Sequence, residues 1–319
     1  MPRAGVKALN KRIRSVKSTQ QITKAMKMVA AAKLNRSQGK MIAARPYARQ
    51  LARLVQHLAG AAQDAHPLFE VREVARRLYI VVASDKGLCG SYNLNLIKMA
   101  QQAIDASRAA GVETTVLTIG KKAGDYFAKR GYALHGRHDD FNGDASAERA
   151  QQVGDALVRA FLERTHDEVR IVYSEYHSTM VQRPSERAVL PIAPPAAATN
   201  GAAGSDGAAA AEEPAGKRMQ GKLGREDAPA EPVADLDYIW EPGREQLFAL
   251  LLPLYLRNRV FMTLMEAFTS EHAARMTSMT AATNNAGELV DALTLRRNRE
   301  RQAAITAELL DIVGGANAL

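Results

Sequence analysis

Residues 13–34 read IRSVKSTQQITKAMKMVAAAKL and belong to a long amino-terminal segment whose apolar side chains recur at alternating spacings of three and four. The pattern runs from about Val6 to Leu58, and such spacing is the seam of a coiled coil. It predicts one helix of roughly 80 Å, bent or broken locally at Pro46. The apolar seam positions are Val6, Leu9, Ile13, Val16, Ala30, Leu34, Met41, Ala44, Ala48, Leu51, Val55 and Leu58, and the polar ones are Gln20, Thr23, Lys27 and Ser37.

Further apolar residues of this helix lie off the seam. Ile22, Met26, Met28 and Val29 make the turn around AMKMVAAAK apolar on nearly every face. One helical partner covers a single face, so we expect additional protein to surround this turn.

Charge is distributed unevenly along the chain. The 319 residues carry a net charge of +9, yet the first 63 contain 14 Lys or Arg and no Asp or Glu. Such a helix is either a solvated charged face or a surface for acidic protein, nucleic acid or membrane. The remainder has 29 basic against 34 acidic residues, and Tyr47 is the only Phe, Trp or Tyr among the first 63. Both facts favour a protein partner over nucleic acid.

The middle of the chain alternates between strand and helix patterns. Strands are predicted at 77–84, 112–120 and 168–176, with a further extended run at 187–192. Helices are predicted at 92–111, 121–131 and 147–164. This order predicts the α/β fold class, as an open Rossmann-like α/β domain with right-handed crossovers.

The composition changes between Pro194 and Ala234, where 13 of 41 residues are Ala, 6 are Gly, 5 are Pro and none is aromatic. A disordered loop is predicted there. Pro253 is then interpreted as a helix start, followed by a second long helix from about 254 to 318. Its apolar positions are Leu264, Met265, Phe268, His272, Met276, Met279, Ala282, Ala286, Leu289 and Leu293, and, after the polar run RRNRERQ, Ile305, Leu309, Ile312 and Val313.

Few motifs suggest chemistry. The stretch SDKGLCGSYN at 84–93 is either a phosphate-binding turn or a tight strand-to-helix turn, and it fits neither the P-loop nor the dinucleotide pattern. We favour the tight turn, with Cys89 as a packed residue. His135 and His138 lie close together in HGRHDDFNGD, which we interpret as a solvated turn rather than a metal site. With one cysteine and no uninterrupted apolar run near 18 residues, a reducing compartment and no membrane span are expected.

Four blocks occur in the order found in one known family. IRSVKSTQQITKAMKMVAAAKL, SDKGLCGSYN, DYIWEP and the long block from SEHAARM at 270 to VGGA at 316 resemble the gamma subunit of the F-type ATP synthase. The resemblance implies an antiparallel coiled coil of the terminal helices and an α/β foot. It implies a non-catalytic, cofactor-free rotary subunit bound to alpha, beta and epsilon subunits and to a c ring, with no nucleic acid.

The resemblance also assigns roles to individual residues. Met26 and Arg275 correspond to shaft residues near a mobile acidic loop of beta. A second set, Arg301, Gln302 and Thr306, corresponds to residues that touch the catch loops of the catalytic subunits. Tyr238, Trp240 and Glu241 correspond to the part of the foot that meets the c ring.

The implied organisation has five parts: a helix at 1–60, the foot at 75–193, the Ala/Gly/Pro-rich insertion at 194–234, a return to the foot at 235–252, and the final helix at 253–319. Chloroplast members carry an insertion with a cysteine pair, whereas this insertion has none, which favours a bacterial protein on the cytoplasmic face of the inner membrane. Two alternatives stay open: a basic coiled-coil adaptor for nucleic acid or anionic lipid, and a nucleotide-binding α/β enzyme.

Overall fold

The computed structural model describes residues 2–62, 66–192, 241 and 243–316. The described residues divide into two compact units. We call residues 2–34, 88–90 and 272–316 the helical unit, and those between 35 and 87 and between 91 and 271 the α/β unit. The elements are α1 (Pro2–Ala62), a 3-10 helix (Pro67–Phe69), β1 (Arg76–Val82), α2 (Tyr92–Ala109), β2 (Glu113–Ile119), α3 (Lys121–Lys129), β3 (Leu134–His138), α4 (Ala147–Leu162), β4 (Glu168–Tyr176), β5 (Gln182–Leu190) and α5 (Arg244–Ala316).

One mixed sheet forms the centre of the α/β unit, with strand order β3-β2-β1-β4-β5. β1 pairs in parallel with β2 and β4, β2 pairs in parallel with β3, and β5 is antiparallel to β4. β1 takes the central place because it is apolar on both faces and buried from Leu78 to Val82. The predicted α/β fold is confirmed, with an antiparallel strand at one edge.

The edge strand β3 was missed by the sequence interpretation. HGRHDDFNGD was interpreted as a solvated turn, but its first residues pair with β2. This strand lacks an apolar run because its outward side chains are polar. Arg137, for example, forms ion pairs with Asp125 at 2.8 Å and with Asp139 at 2.7 Å.

Three helices cover the sheet with apolar faces. α2 buries Leu96 and Ile104, and α3 buries Phe127. α4 begins at Ser146, whose side chain accepts a hydrogen bond from the Arg149 amide at 3.2 Å and so satisfies one free N–H of the first turn. The apolar residues of α4 that pack inward are Val153, Leu157 and Phe161, whereas Leu162, also on the predicted apolar face, is exposed.

In the helical unit, α1 pairs with α5 in antiparallel orientation. Ile13 packs with Val290 and Leu293, whereas Thr23, further along α1, accepts a hydrogen bond at 2.9 Å from Thr283, further back on α5. Because the contacting residue numbers rise along α1 and fall along α5, the two helices run in opposite directions. The predicted coiled coil is confirmed.

The predicted seam also agrees with burial along the whole of α1. Each of its sixteen positions from Val6 to Leu58 is buried or half-buried. Ile22, Met28 and Val29 lie outside the seam and are 58%, 60% and 58% exposed.

Pro46 and Pro253 both lie inside helices, which excludes a break at Pro46 and corrects the expectation for Pro253. α1 continues as a helix through Pro46, and α5 begins at Arg244, so Pro253 is not a helix start. Packing on both sides stabilises each helix against the lost hydrogen bond. Met41 and Leu51 are buried around the first proline, and Leu252 and Leu256 around the second.

Several predicted apolar positions of α5 are exposed, namely Leu289 and the later positions Ile305, Leu309 and Val313. Leu289 is 41% exposed, and the neighbouring Val290 takes the inward place between Ala286 and Leu293. The spacings of four and three between these buried residues keep the seam on one face of the helix.

By length and composition, the part Gln246–Leu310 of α5 is apolar enough to cross a membrane, and it is the one such helix among the described residues. The sequence expectation of no span considered only uninterrupted apolar runs. Core helices of soluble proteins meet the same criterion, and part of α5 packs as the core of the α/β unit, where Leu252, Leu256 and Leu264 are fully buried.

Candidate functional site

The glycine-rich turn after β1 is held by side chains of its own unit. The Asp85 carboxylate accepts hydrogen bonds from the amides of Lys121 at 3.0 Å and Asn142 at 2.6 Å. Asn93 accepts a hydrogen bond from the Ser84 amide at 3.0 Å. These donors lie at the carboxyl ends of the strands, where a phosphate would need them. Asp85 occupies the first amide of α3, and through it the turn after β1 is tied to the ends of β2 and β3.

Glycine is required at the corresponding turn after β2. Gly120 has φ of +99°, and a Cβ there would stand 2.1 Å from the Ala83 carbonyl oxygen. Ala83 in turn donates its amide to the Ile119 oxygen at 2.8 Å. The two adjacent strand ends therefore approach too closely to leave room for a side chain between them.

The single cysteine, Cys89, is buried with 3% exposure. This agrees with the interpretation of a small packed residue. No group of three or more His, Cys, Asp or Glu able to hold a metal occurs within residues 2–62, 66–192, 241 and 243–316.

The histidines arrange differently from the sequence interpretation. His135 packs edge-on against His166, with ring centroids 4.9 Å apart. Burial, then the nearby His135 and Arg76, lowers the pKa of His166 to about 4. Its Nε2 and Thr115 Oγ1 share a hydrogen bond at 2.7 Å. This neutral histidine belongs to the core of the α/β unit.

The exposed surface of the helical unit is unusually apolar. On α1 it includes Ile22, Met28 and Val29. On α5, six large apolar side chains past residue 288 are 41% to 66% exposed; they are Leu289, Leu295, Ile305, Leu309, Leu310 and Val313. We call these nine residues the apolar belt. Since the seam between the helices is already filled, the belt lies outside it, and a surface of this kind marks an interaction site.

The sequence-predicted site residues fall into three groups. Met26 and Arg275 are half-buried, and the antiparallel register places Met26 level with about residue 280, roughly one and a half turns from Arg275. Arg301, Gln302 and Thr306 are exposed. The Thr306 hydroxyl donates to the Gln302 carbonyl at 3.0 Å within the same helix, which leaves its oxygen as an acceptor.

The third group lies mostly outside the described residues. Tyr238 and Trp240 fall there, as does the insertion predicted at 194–234, and Glu241 is described and exposed. The sequence analysis listed Ile22, Met28 and Val29 but did not select them as contact residues. The sequence feature that could have identified them as contact residues is that they are apolar and lie outside the 3-4 seam.

Comparison with known proteins decides between the open alternatives. The ATP synthase family profile matches residues 5–319. The ATP synthase gamma chain of Desulforudis audaxviator is 41% identical over 310 residues, 97% of each chain. The chain belongs to the ATP synthase gamma chain family. It is accordingly a central-stalk gamma subunit of an F-type ATP synthase, which is a non-catalytic part of that enzyme.

Other gamma chains agree along the whole length. That of Chloroherpeton thalassium is 40% identical over 322 residues, with 99% of this chain and 98% of the relative covered. The fold is also that of a solved rotor. A chain in the rotor of the Euglena gracilis mitochondrial ATP synthase superposes with a TM-score of 0.58 at 18% identity, over 95% of this chain and 99% of that one.

Proposed function

We propose that this gamma subunit is the rotating shaft that couples ion flow through a c ring to ATP synthesis and hydrolysis on alpha and beta subunits. Its helical unit turns inside the ring of alpha and beta subunits, and its α/β domain (75–193 with 235–252) is the foot that binds the epsilon subunit and the c ring. The complex lies on the cytoplasmic face of a bacterial inner membrane, with this subunit peripheral.

The observation that carries the proposal is the apolar belt on helices whose seam is already filled. Ile22, Met28 and Val29 are each more than half exposed. Burying such side chains in a partner contributes roughly 25 cal/mol per Å². A nucleic-acid adaptor would leave them in water, whereas a close-fitting protein sleeve covers them on every side as the shaft turns.

Charge supports the same partner. The residues of α1 outside the seam include most of the 14 Lys and Arg of the first 63 residues, with no acid among them. Acidic loops on the surrounding subunits are the complementary surface. Within this contact we assign Met26 and Arg275 to one level of the helical unit and Arg301, Gln302 and Thr306 to another level. We assign a separate set, Tyr238, Trp240 and Glu241, to the contact with the c ring.

Reconstitution tests the proposal. The purified chain alone is expected to have no ATPase activity. Mixed with alpha and beta subunits, it is expected to give a stable complex that hydrolyses ATP and rotates a probe attached to the foot. Turnover by the chain alone, or a mixture in which the chain neither enters the complex nor rotates, contradicts it.

A variant can locate the contact as well. Val29→Asp should block assembly because it places a charge on the apolar belt. Gln21→Asp, at an exposed uncharged position about two turns away, is a control with the same change of charge. If both variants block assembly equally, then charge and not the apolar belt directs the contact.

A further inference from the structure

Tyr176, the last residue of β4, is held by both terminal helices at once. Its hydroxyl accepts a hydrogen bond from Gln38 Nε2 of α1 at 2.5 Å. Its backbone N–H donates to Glu266 Oε1 of α5 at 3.0 Å. The residue is only 8% exposed, and both hydrogen bonds are partly buried because Gln38 and Glu266 are half-buried.

Other polar contacts hold one helix each. Lys40 on α1 pairs with Asp144 at 2.6 Å, and these side chains are 37% and 56% exposed. Arg257 on α5 pairs with Asp155 at 2.5 Å, with both side chains about one third exposed. Exposed ion pairs of this kind hold side chains weakly. The Tyr92 hydroxyl donates to the Ala267 carbonyl of α5 at 3.0 Å, and this buried hydrogen bond also holds one helix. The contacts at Tyr176 differ because one residue holds both helices.

The sheet supplies a rigid base for these contacts. β4 lies between β1 and β5, and Tyr176 pairs with Gln182 across the β4–β5 hairpin. The pairing of β4 with β1 ends at Val172, so at Tyr176 the strand is held by its ladder with β5, whose backbone hydrogen bonds resist displacement together.

The position of the contacts along the helices is equally specific. Gln38 and Glu266 lie within about one and a half turns of residues 35 and 271, where the α/β unit ends on each helix. Both helices continue past those points without a break.

We propose that Tyr176 is a positioning residue that prevents α1 and α5 from rotating about their own axes against the sheet. Torque applied to the foot is then transmitted to the helical unit. This inference rests on the proposed rotary function. Apolar packing is non-directional and resists rolling poorly. Hydrogen bonds weaken steeply with misalignment, so a pair of them on opposite helices fixes rotational position.

The test uses the assembled enzyme with a double variant, Tyr176→Phe with Glu266→Leu. The first change removes the hydroxyl that accepts from Gln38 and keeps the ring. The second removes the carboxylate that accepts from the Tyr176 amide. Two controls accompany it. Tyr126→Phe removes a hydroxyl that donates to Gln101 at 2.6 Å, with both residues on the foot helices α3 and α2, and Glu266→Gln keeps an acceptor oxygen.

The measurements separate torque transmission from stability. With alpha and beta subunits immobilised, the angular fluctuation of a probe on the foot reports rotor stiffness. We expect its variance to rise about twofold in the double variant, since two directional constraints are lost. ATP hydrolysis without load should stay at the wild-type rate, while the ion gradient reached by ATP-driven pumping falls. Both controls should match the wild type.

Several results overturn the inference. One is unchanged variance and gradient in an assembled double variant, and another is an equal change in the Tyr126→Phe control. If the double variant does not assemble, the single Tyr176→Phe variant decides by the same two readouts. A wild-type complex that does not rotate contradicts the proposed function itself, which is a separate outcome.

Discussion

Ile13 and Ile22 allow one substitution to be made on one helix in two opposite environments. Ile13 is 7% exposed and packs with Val290 and Leu293, whereas Ile22 is 58% exposed. We consider Ile→Ala at each position. The prediction is that the first change destabilises the helix pair and the second does not, while only the second affects an outer surface.

The magnitude follows from burial. A buried Ile→Ala change costs about 2–5 kcal/mol, and the low end applies to Ile13 because a two-helix seam is narrow. Alanine returns up to about 0.5 kcal/mol through its helix propensity. The net cost is therefore about 1.5 kcal/mol. At Ile22 the small burial loss and the same propensity gain nearly cancel, so the change should stay within about 0.5 kcal/mol.

Hydrogen exchange measured by mass spectrometry on the isolated chain reports this difference. The amides of residues 6–20 should exchange about tenfold faster in Ile13→Ala, because 1.4 kcal/mol is a factor of ten. They should be nearly unchanged in Ile22→Ala. Exchange in β1 serves as an internal control, since the sheet belongs to the other unit. In binding assays with alpha and beta subunits, Ile22→Ala should lower affinity.

Equal exchange in both variants would refute the assignment of Ile13 to a seam that stabilises the helix pair. Faster exchange in Ile22→Ala than in Ile13→Ala would reverse the assignment of inner and outer faces.

Three further predictions concern other parts of the molecule. Arg301→Ala with Gln302→Ala should lower coupled ATP synthesis substantially at normal assembly, checked by quantitative blot, and wild-type rates would exclude a functional contact there. Deleting residues 196–232, whose composition can bury little apolar surface, should leave assembly and synthesis intact, and loss of assembly would show a structural role. The pKa of His166 is lowered to about 4, below its usual 6.5, so the fold favours the neutral ring. Stability should therefore be full above about pH 6.5 and fall by up to about 3 kcal/mol as the pH drops toward 4. Urea unfolding of His166→Gln should lack that pH dependence, and an unchanged dependence would contradict the assignment.

The sequence predicted the parts of the fold that depend on local periodicity. The α1 seam was found at every position because its spacing persists over fifty residues, and β1 was found because it is apolar on both faces. β3 was missed because an edge strand with polar outward side chains carries no apolar run. Pro253 was misinterpreted because tertiary packing overrode a local signal that normally marks a helix end or start.

The site was harder to predict than the fold. Five residues carried over from the family lie on the expected helices, namely Met26, Arg275, Arg301, Gln302 and Thr306. The geometry then showed which surface outside the seam is apolar and exposed. Tyr176 could not be identified from sequence, since its partner Gln38 is 138 residues away and both are ordinary polar residues. The contact of His135 with His166 is also set by strand order, which local patterns do not specify.

The antiparallel pairing of the terminal helices also constrains how the protein is made. Ile13 packs with Leu293, so a ribosome must synthesise nearly the whole chain before this seam can close. The strands of the sheet are complete at Leu190, so the sheet can pair while synthesis of α5 continues. During that interval α1 lacks its partner, with an open apolar face. The like charges of its acid-free sequence repel other nascent copies and protect it from self-association until the final helix is made.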